Sequence, residues 1–101
     1  MAYVLTPRAR RDLADIWRFT NGRWGEAQAD AYVRQIAECC QRLSEGALIG
    51  SDVSAIRPGY WKFRVGSHVL FYTKPAEQRL ELVRILHQRM DITAIFSAPR
   101  L

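Results

Sequence analysis

Three strand-like runs follow one another almost without interruption: YWKFRV (60–65), HVLFYTK (68–74) and RLELVRIL (79–86), separated only by Gly66-Ser67 and by PAEQ. Spacers this short join antiparallel neighbours, because a parallel neighbour needs a crossover of a dozen or more residues. The second half of the chain is thereby committed to a small antiparallel sheet. A sheet of that size needs a cover, and the first half must supply it.

It does so with helices. AYVL (2–5) reads as a short first strand. Thr6 and Pro7 then start a helix: a hydroxyl at the N-cap, and proline where its missing N–H costs nothing. Ala9, Leu13, Ile16, Trp17 and Thr20 recur at three- and four-residue steps and make one apolar stripe. TNGRWG (20–25) interrupts the pattern and reads as a turn. A second helix over 25–45 carries Ala29, Tyr32, Ile36, Cys40 and Leu43, and Gly46 ends it. The pair forms an αα-hairpin. ALIGSDVSAIRPG (47–59) is a loop, and ITAIF near the end suits a short helix with Asp91 as its N-cap. The expected architecture is α+β, a single domain over residues 1–101. Its N-terminal strand and αα-hairpin pack on a twisted antiparallel sheet, in the order β-α-α-β-β-β with the short C-terminal helix.

The face each strand turns to the helices depends on the loop at Gly66. A two-residue loop puts Phe63 and Phe71 on opposite sides of the sheet. A three-residue loop puts Trp61, Phe63, Val69 and Phe71 together, and separates apolar from polar positions better. Glycine also suits the left-handed position of such a loop. The three-residue loop is therefore expected, with the helical hairpin over the Trp61/Phe63 face. Tyr60, Lys62, Arg64, Leu70 and Tyr72 would share the other face. If Val83 and Ile85 form a core pair, Leu82, Arg84 and Leu86 join that mixed aromatic–basic surface, which is where function is expected.

Charge supports an anionic partner there. The chain carries fifteen basic and ten acidic residues, net +5, and thirteen of the fifteen are arginine. Residues 51–101 hold eight basic against four acidic groups, whereas residues 1–50 hold seven against six. Arginine suits bidentate recognition of phosphate or carboxylate, although the same excess also serves a solvated, solubilising face. The adjacent Cys39 and Cys40 rarely have the separation a disulfide needs, and no zinc-like spacing exists. Reduced thiols in a cytoplasmic protein are the expectation. The opening MAYVLTPRARRDL has too short an apolar run for a signal peptide or a membrane span.

Two kinds of chemistry fit the residues. RNA cleavage needs an acid, a base and cations for the phosphorane. His87 could be the acid, Arg57, Lys62, Arg64 and Arg84 the cations, and Tyr60 or Tyr72 a stacking platform. No carboxylate is well placed as base, and a histidine at a strand end is more often structural. The other reading is a protein-binding module, with Leu70, Leu82 and Leu86 as apolar anchors and the arginines pairing with an acidic partner, an extended peptide or an amphipathic helix. His68 reads as a residue satisfying its own turn, GEAQAD (25–30) as a solvated helix face, and Trp17, Trp24 and Trp61 as core or hairpin packing. No metal box, phosphate loop or nucleophile triad is visible, so no cofactor is expected.

The stretches LTPRARRDLADIW (5–17), WGEAQADAY (24–32), IRPGY (56–60), GSHVLFY (66–72) and RILHQRMD (84–91), in this order and spacing, resemble the RelE/ParE superfamily of bacterial toxins, and its ParE branch in particular. The resemblance implies a toxin of a type II toxin–antitoxin operon. It implies a ParD-like antitoxin as partner, operator DNA reached only through that antitoxin, and DNA gyrase as target. Tyr60, Lys62, Arg64, Leu70, Tyr72, Leu82, Arg84 and Arg89 are the expected partner-binding residues. RelE-like relatives instead cut mRNA on the ribosome, for which Arg64, Arg84 and His87 would be the catalytic set here. A homologue that retains antitoxin binding without toxicity is the third reading.

Overall fold

A computed structural model describes residues 3–75 and 79–97. The elements are β1 (Tyr3–Leu5), α1 (Pro7–Trp24), α2 (Glu26–Glu45), β2 (Ser51–Asp52), β3 (Tyr60–Val65), β4 (His68–Thr73), β5 (Leu80–His87) and α3 (Ile92–Ser97). Most of the expected PAEQ turn, Ala2 of the first strand and residues 98–101 lie outside the described residues. Among the described residues, no helix is long and apolar enough to cross a membrane.

The five strands lie in the order β1-β5-β4-β3-β2. Neighbours among β2 to β5 are antiparallel, while β1 adds to the outer edge of β5 in parallel, so the sheet is mixed. Ser51 and Asp52, expected in a loop, form a short edge strand against Lys62 and Trp61.

Thr6 does cap α1. Its hydroxyl oxygen accepts the Ala9 amide at 3.0 Å and its hydroxyl donates to the Val83 carbonyl at 2.8 Å, so one side chain both starts the helix and ties it to β5. The helix does not stop at Thr20. It runs through Asn21 and Gly22 to Trp24, and only Gly25, at φ 95°, breaks it. A glycine inside a helix costs about 1 kcal/mol. That is too little to end a helix whose neighbouring turns are packed. Across the hairpin Trp17 Nε1 donates to Asp30 Oδ1 at 2.8 Å. Gly46 closes α2 in the left-handed conformation, and Lys74 Nζ donates to the Leu43 carbonyl there.

The expected three-residue loop is not what forms. Val65 pairs with His68 and Trp61 with Tyr72, so the β3–β4 turn has two residues, with Gly66 at φ 57°. Cross-strand partners share a face. Trp61, Phe63, Leu70 and Tyr72 therefore lie together under the helices, while Lys62, Arg64, Val69 and Phe71 face the other way. The helices do cover Trp61 and Phe63, but their companions are Leu70 and Tyr72 rather than Val69 and Phe71. The reason is that the sheet is buried on both sides. One core joins Ile16, Ile36, Cys40 and Leu43 to Leu70, Tyr72, Leu80, Leu82 and Ile85. A second joins Val69, Phe71 and Leu86 to Val53 and Phe96 from the 53–59 loop and α3. With both faces apolar, β4 carries no alternation to read. Cys40 belongs to the first core, where burial pushes its thiol up to about 12.

Candidate functional site

The residues expected on one mixed surface divide among three places. Lys62 and Arg64 are exposed. Tyr60 beside them is half-buried, edge-on to Phe96 with ring centroids 5.4 Å apart and beneath the Arg57 guanidinium. Leu70, Tyr72 and Leu82 are in the helix-side core, the two leucines at 0% and 1% exposure. They are packing residues in this fold, which corrects their expected place on the mixed surface. Val83 does not share a face with Ile85 through regular alternation either. A bulge between Phe71 and Tyr72 pairs Phe71 with Arg84 and Tyr72 with Leu82, leaving Val83 without a registered partner. That one extra residue sends Leu82 and Ile85 both to the helix side.

Arg84 lands on the same sheet face as Arg64 by register, as expected, yet its head group is committed elsewhere. Nε donates to Asp12 Oδ2 at 2.8 Å and Nη2 to Oδ1 at 3.2 Å, while the Ile85 amide donates to the same Oδ2 at 2.9 Å. Among the described residues no strand lies beside the outer edge of β5 beyond Leu82, and Asp12 of α1 takes the Ile85 amide in place of a carbonyl. Arg84 and Asp12 thus fasten the first helix to the sheet. His87, paired with His68, lies on the helix-side face. The set Arg64, Arg84 and His87 is therefore not assembled on one surface.

His87 instead helps to floor an open groove of about 800 Å³ between the end of the helical hairpin and the ends of β4 and β5. Ile16, Phe19 and Trp24 of α1, Tyr32 of α2 and Met90 form its apolar walls. Phe19, Trp24 and Met90 are 65%, 67% and 48% exposed. Trp24 is thus not a core residue, contrary to the packing expected for it. The Arg23 guanidinium lies 5.8 Å from the Phe19 ring and 5.9 Å from the Trp24 ring, within cation–π range. The α1 stripe continues in the sequence from Thr20 to Trp24, and both residues line the groove.

On the groove floor His68 is a strand residue tied to α2, not a self-contained turn residue. The Tyr32 hydroxyl lies 2.7 Å from His68 Nδ1 and 3.0 Å from the Val65 carbonyl oxygen. The His68 and His87 rings meet edge to face, centroids 5.4 Å apart, and His87 Nδ1 accepts the Arg89 amide at 3.1 Å. Burial first, then the neighbouring His87, push the His68 imidazole below its ordinary value. The fold thus favours the neutral ring, so the unfolded chain takes up the proton first. Stability from this group is complete above the ordinary histidine value of about 6.5. It declines as the pH falls below that, until the folded-state value is passed. Thermal melts between about pH 7.5 and pH 5.5 should show the wild type losing stability on acidification and His68→Gln losing less. Equal losses would exonerate His68.

Comparison with known proteins places this geometry. The family model described as "ParE toxin of type II toxin-antitoxin system, parDE" matches residues 3–92. "Toxin ParE1" of Mycobacterium tuberculosis is 43% identical over 90 residues, covering 89% of this chain and 92% of that protein. "Toxin ParE1" of Caulobacter vibrioides is 38% identical over 92 residues, covering 91% and 94%. The solved structure titled "Chromosomal ParDE TA system from P. aeruginosa" superposes with a TM-score of 0.71 at 20% identity, over 86% of this chain and 95% of that one, and so shares the fold. The match runs from β1 to the first residue of α3, through both helices and the sheet they cover: the chain belongs to the ParE toxin family of type II toxin–antitoxin systems.

Proposed function

We propose that this chain is a cytoplasmic toxin that inhibits bacterial DNA gyrase by binding, without catalysing a reaction, and that a ParD-like antitoxin neutralises it. Operator DNA enters only through the antitoxin, and the whole chain acts as one toxin domain. The family supports the toxin role. The observation that carries the binding-only reading is the fate of Arg84, whose guanidinium is held by Asp12 while His87 sits across the sheet in the groove. A nuclease would have to spend that ion pair to free its cation.

The test is a gyrase assay with purified protein beside a ribosome-bound mRNA cleavage assay. Trapped cleaved DNA with intact mRNA is the expected result. Cut mRNA with unaffected gyrase would overturn the reading in favour of a RelE-type nuclease using Arg64, Arg84 and His87. Inactivity in both, with antitoxin still bound, would make this a non-toxic homologue.

For the antitoxin, the exposed cations Lys62, Arg64 and Arg89, with Tyr60, are the proposed contacts. Oppositely charged surfaces steer association and respond to salt. Arg64→Glu should slow antitoxin association and flatten its salt dependence. An unchanged on-rate at low salt would move the docking surface away from Arg64.

A further inference from the structure

Five arginines and two aspartates stand on α1, and both acids are engaged. Asp12 holds Arg84 and the Ile85 amide, and Asp15 pairs with Arg18. Arg11 is thereby denied the aspartate that lies four residues on, at ordinary helix-pair spacing. Arg8, Arg10 and Arg11 are exposed and have no carboxylate partner among the described residues. Three like charges within four residues repel one another, and no acid in the first turn relieves them. They also stand at the positive end of the helix dipole, where cations are disfavoured. The fold thus carries an uncompensated positive patch that adds nothing to its stability. The helix terminus is not itself the site: the Thr6 hydroxyl oxygen takes the Ala9 amide, and Pro7 has no N–H to offer.

The surroundings of the three arginines indicate what neutralises them. Ala9 and Ile16, on the opposite face of α1, are buried in the core, so no apolar face remains to enter a bilayer, as a membrane-surface helix requires. The large apolar side chains exposed among the described residues are Phe19, Trp24, Ile49 and Met90, and none lies in the first three turns of α1. Protein interfaces are built around a desolvated centre that excludes charge, and the patch has no such centre. A convex surface of arginines without an apolar anchor suits a phosphate backbone, whose binding is electrostatic and driven by counterion release. The guanidinium fork also matches phosphate geometry. From Arg8 to Arg18 the helix axis advances about 15 Å, a length over which each strand of a duplex presents about four phosphates. The groove uses α1 only from Asp15 onward, so the two surfaces can be engaged together.

We propose that Arg8, Arg10 and Arg11 bind the phosphate backbone of duplex DNA, so that the toxin grips the DNA segment held by gyrase as well as the enzyme itself. The assignment to that segment rests on the gyrase inhibition proposed above. Backbone contacts carry no base sequence, so operator recognition stays with the antitoxin. Two simultaneous contacts, one to enzyme and one to DNA, each raise the effective concentration of the other, which opposes release of the trapped DNA.

The test is a fluorescence-anisotropy titration of the full chain against a labelled DNA duplex of about 20 base pairs and arbitrary sequence. Three neutralised phosphates give a slope of about −2.7 in log affinity against log salt, so a fourfold rise in salt should weaken wild-type binding about 40-fold. Arg8→Gln, Arg10→Gln and Arg11→Gln together should weaken binding at low salt by about 30-fold or more and flatten that slope. The melting temperature should stay that of the wild type, since glutamine keeps the helix propensity and the three side chains are solvated. Arg34→Gln, Arg42→Gln and Arg79→Gln together remove the same charge from other exposed positions, and should retain binding within about threefold. An equal loss in both triple variants would show that net charge, not the patch, binds DNA, and would overturn the proposal. In a gyrase assay the patch variant should need about tenfold more protein to trap the same cleaved DNA, with its affinity for gyrase free of DNA unchanged. Failure of the wild type to bind the duplex at low salt, while it still traps cleaved DNA, would overturn this proposal alone. Tighter binding to an RNA duplex of the same length, or equal competition by polyglutamate, would overturn it in favour of an RNA or an acidic protein. A wild type that binds the duplex but traps no cleaved DNA would overturn the gyrase reading, and with it the segment assigned here.

Discussion

Asp12→Ala should destabilise the fold by about 3–5 kcal/mol, the cost of removing one partner from a largely buried ion pair. The Asp12 and Arg84 side chains are 12% and 18% exposed, so solvent screens the stranded guanidinium little. The same carboxylate also accepts the Ile85 amide, and alanine leaves that edge N–H without its partner. For a domain of this size the change corresponds to a melting temperature lower by more than about 12 °C. Asp12→Asn, which keeps an oxygen for the Ile85 amide but no charge for Arg84, should fall between. Replacing both partners with apolar residues, Asp12→Leu with Arg84→Met, should recover most of the loss, because neither charge is then left buried. A drop under about 4 °C for Asp12→Ala would show that the pair contributes little. The result bears on function, since an Arg84 variant that loses toxicity together with thermal stability has lost its fold, not a contact with a partner.

Gly50→Ala should be nearly as damaging for an unrelated reason. Gly50 needs no unusual backbone angle; what it needs is room. A Cβ there would lie against the Lys62 carbonyl oxygen and 2.5 Å from the Tyr72 hydroxyl. The carbonyl belongs to β3 at the point where β2 pairs with it, so it cannot yield without opening the sheet edge. Separating the strands would also break the hydrogen bond from the Gly50 amide to the Tyr72 hydroxyl, now 3.0 Å, and leave a buried phenol unsatisfied. Overpacking of this kind costs typically 1–3 kcal/mol, and the lost hydrogen bond adds about 1 kcal/mol. Urea titration of Gly50→Ala alone and with Tyr72→Phe separates the two: the double variant should be less destabilised than the sum of the singles. Additive losses would mean that Tyr72 does not share the clash. The same exchange should act oppositely at Gly22, a helical position with nothing within 4 Å of a new Cβ. Alanine there should stabilise by roughly 0.5–1 kcal/mol.

The ligand chemistry at the site was only partly legible. Lys62, Arg64 and Arg89 are exposed as expected of partner-binding residues, and Arg84 shares their sheet face by register. Its partner Asp12 lies 72 residues away in the chain, and nothing near either residue announces the pair. The groove was missed because it exists only where the end of α1 meets the ends of β4 and β5. His68 looked like a turn residue because its partner, Tyr32, comes from a helix 36 positions earlier.

What the sequence determined by itself is everything whose physics acts within a few residues. Thr6-Pro7 starts α1, the four-residue apolar steps make both helices amphipathic, Gly46 stops α2, and the short spacers force β3, β4 and β5 to pair as antiparallel neighbours. The ordered motifs also carry the family, since they mark these same elements. What only the tertiary structure decided is which way each strand faces. A strand with one wet side reports its orientation through alternation, but β4 is buried between two cores and reports none. One residue of loop length at Gly66 and one bulged residue at Val83 therefore moved Leu70, Tyr72 and Leu82 from the expected binding surface into the core. A one-residue shift reverses every side chain of a strand, and with apolar residues on both faces only the packing of the helices and α3 against the sheet selects between the two registers.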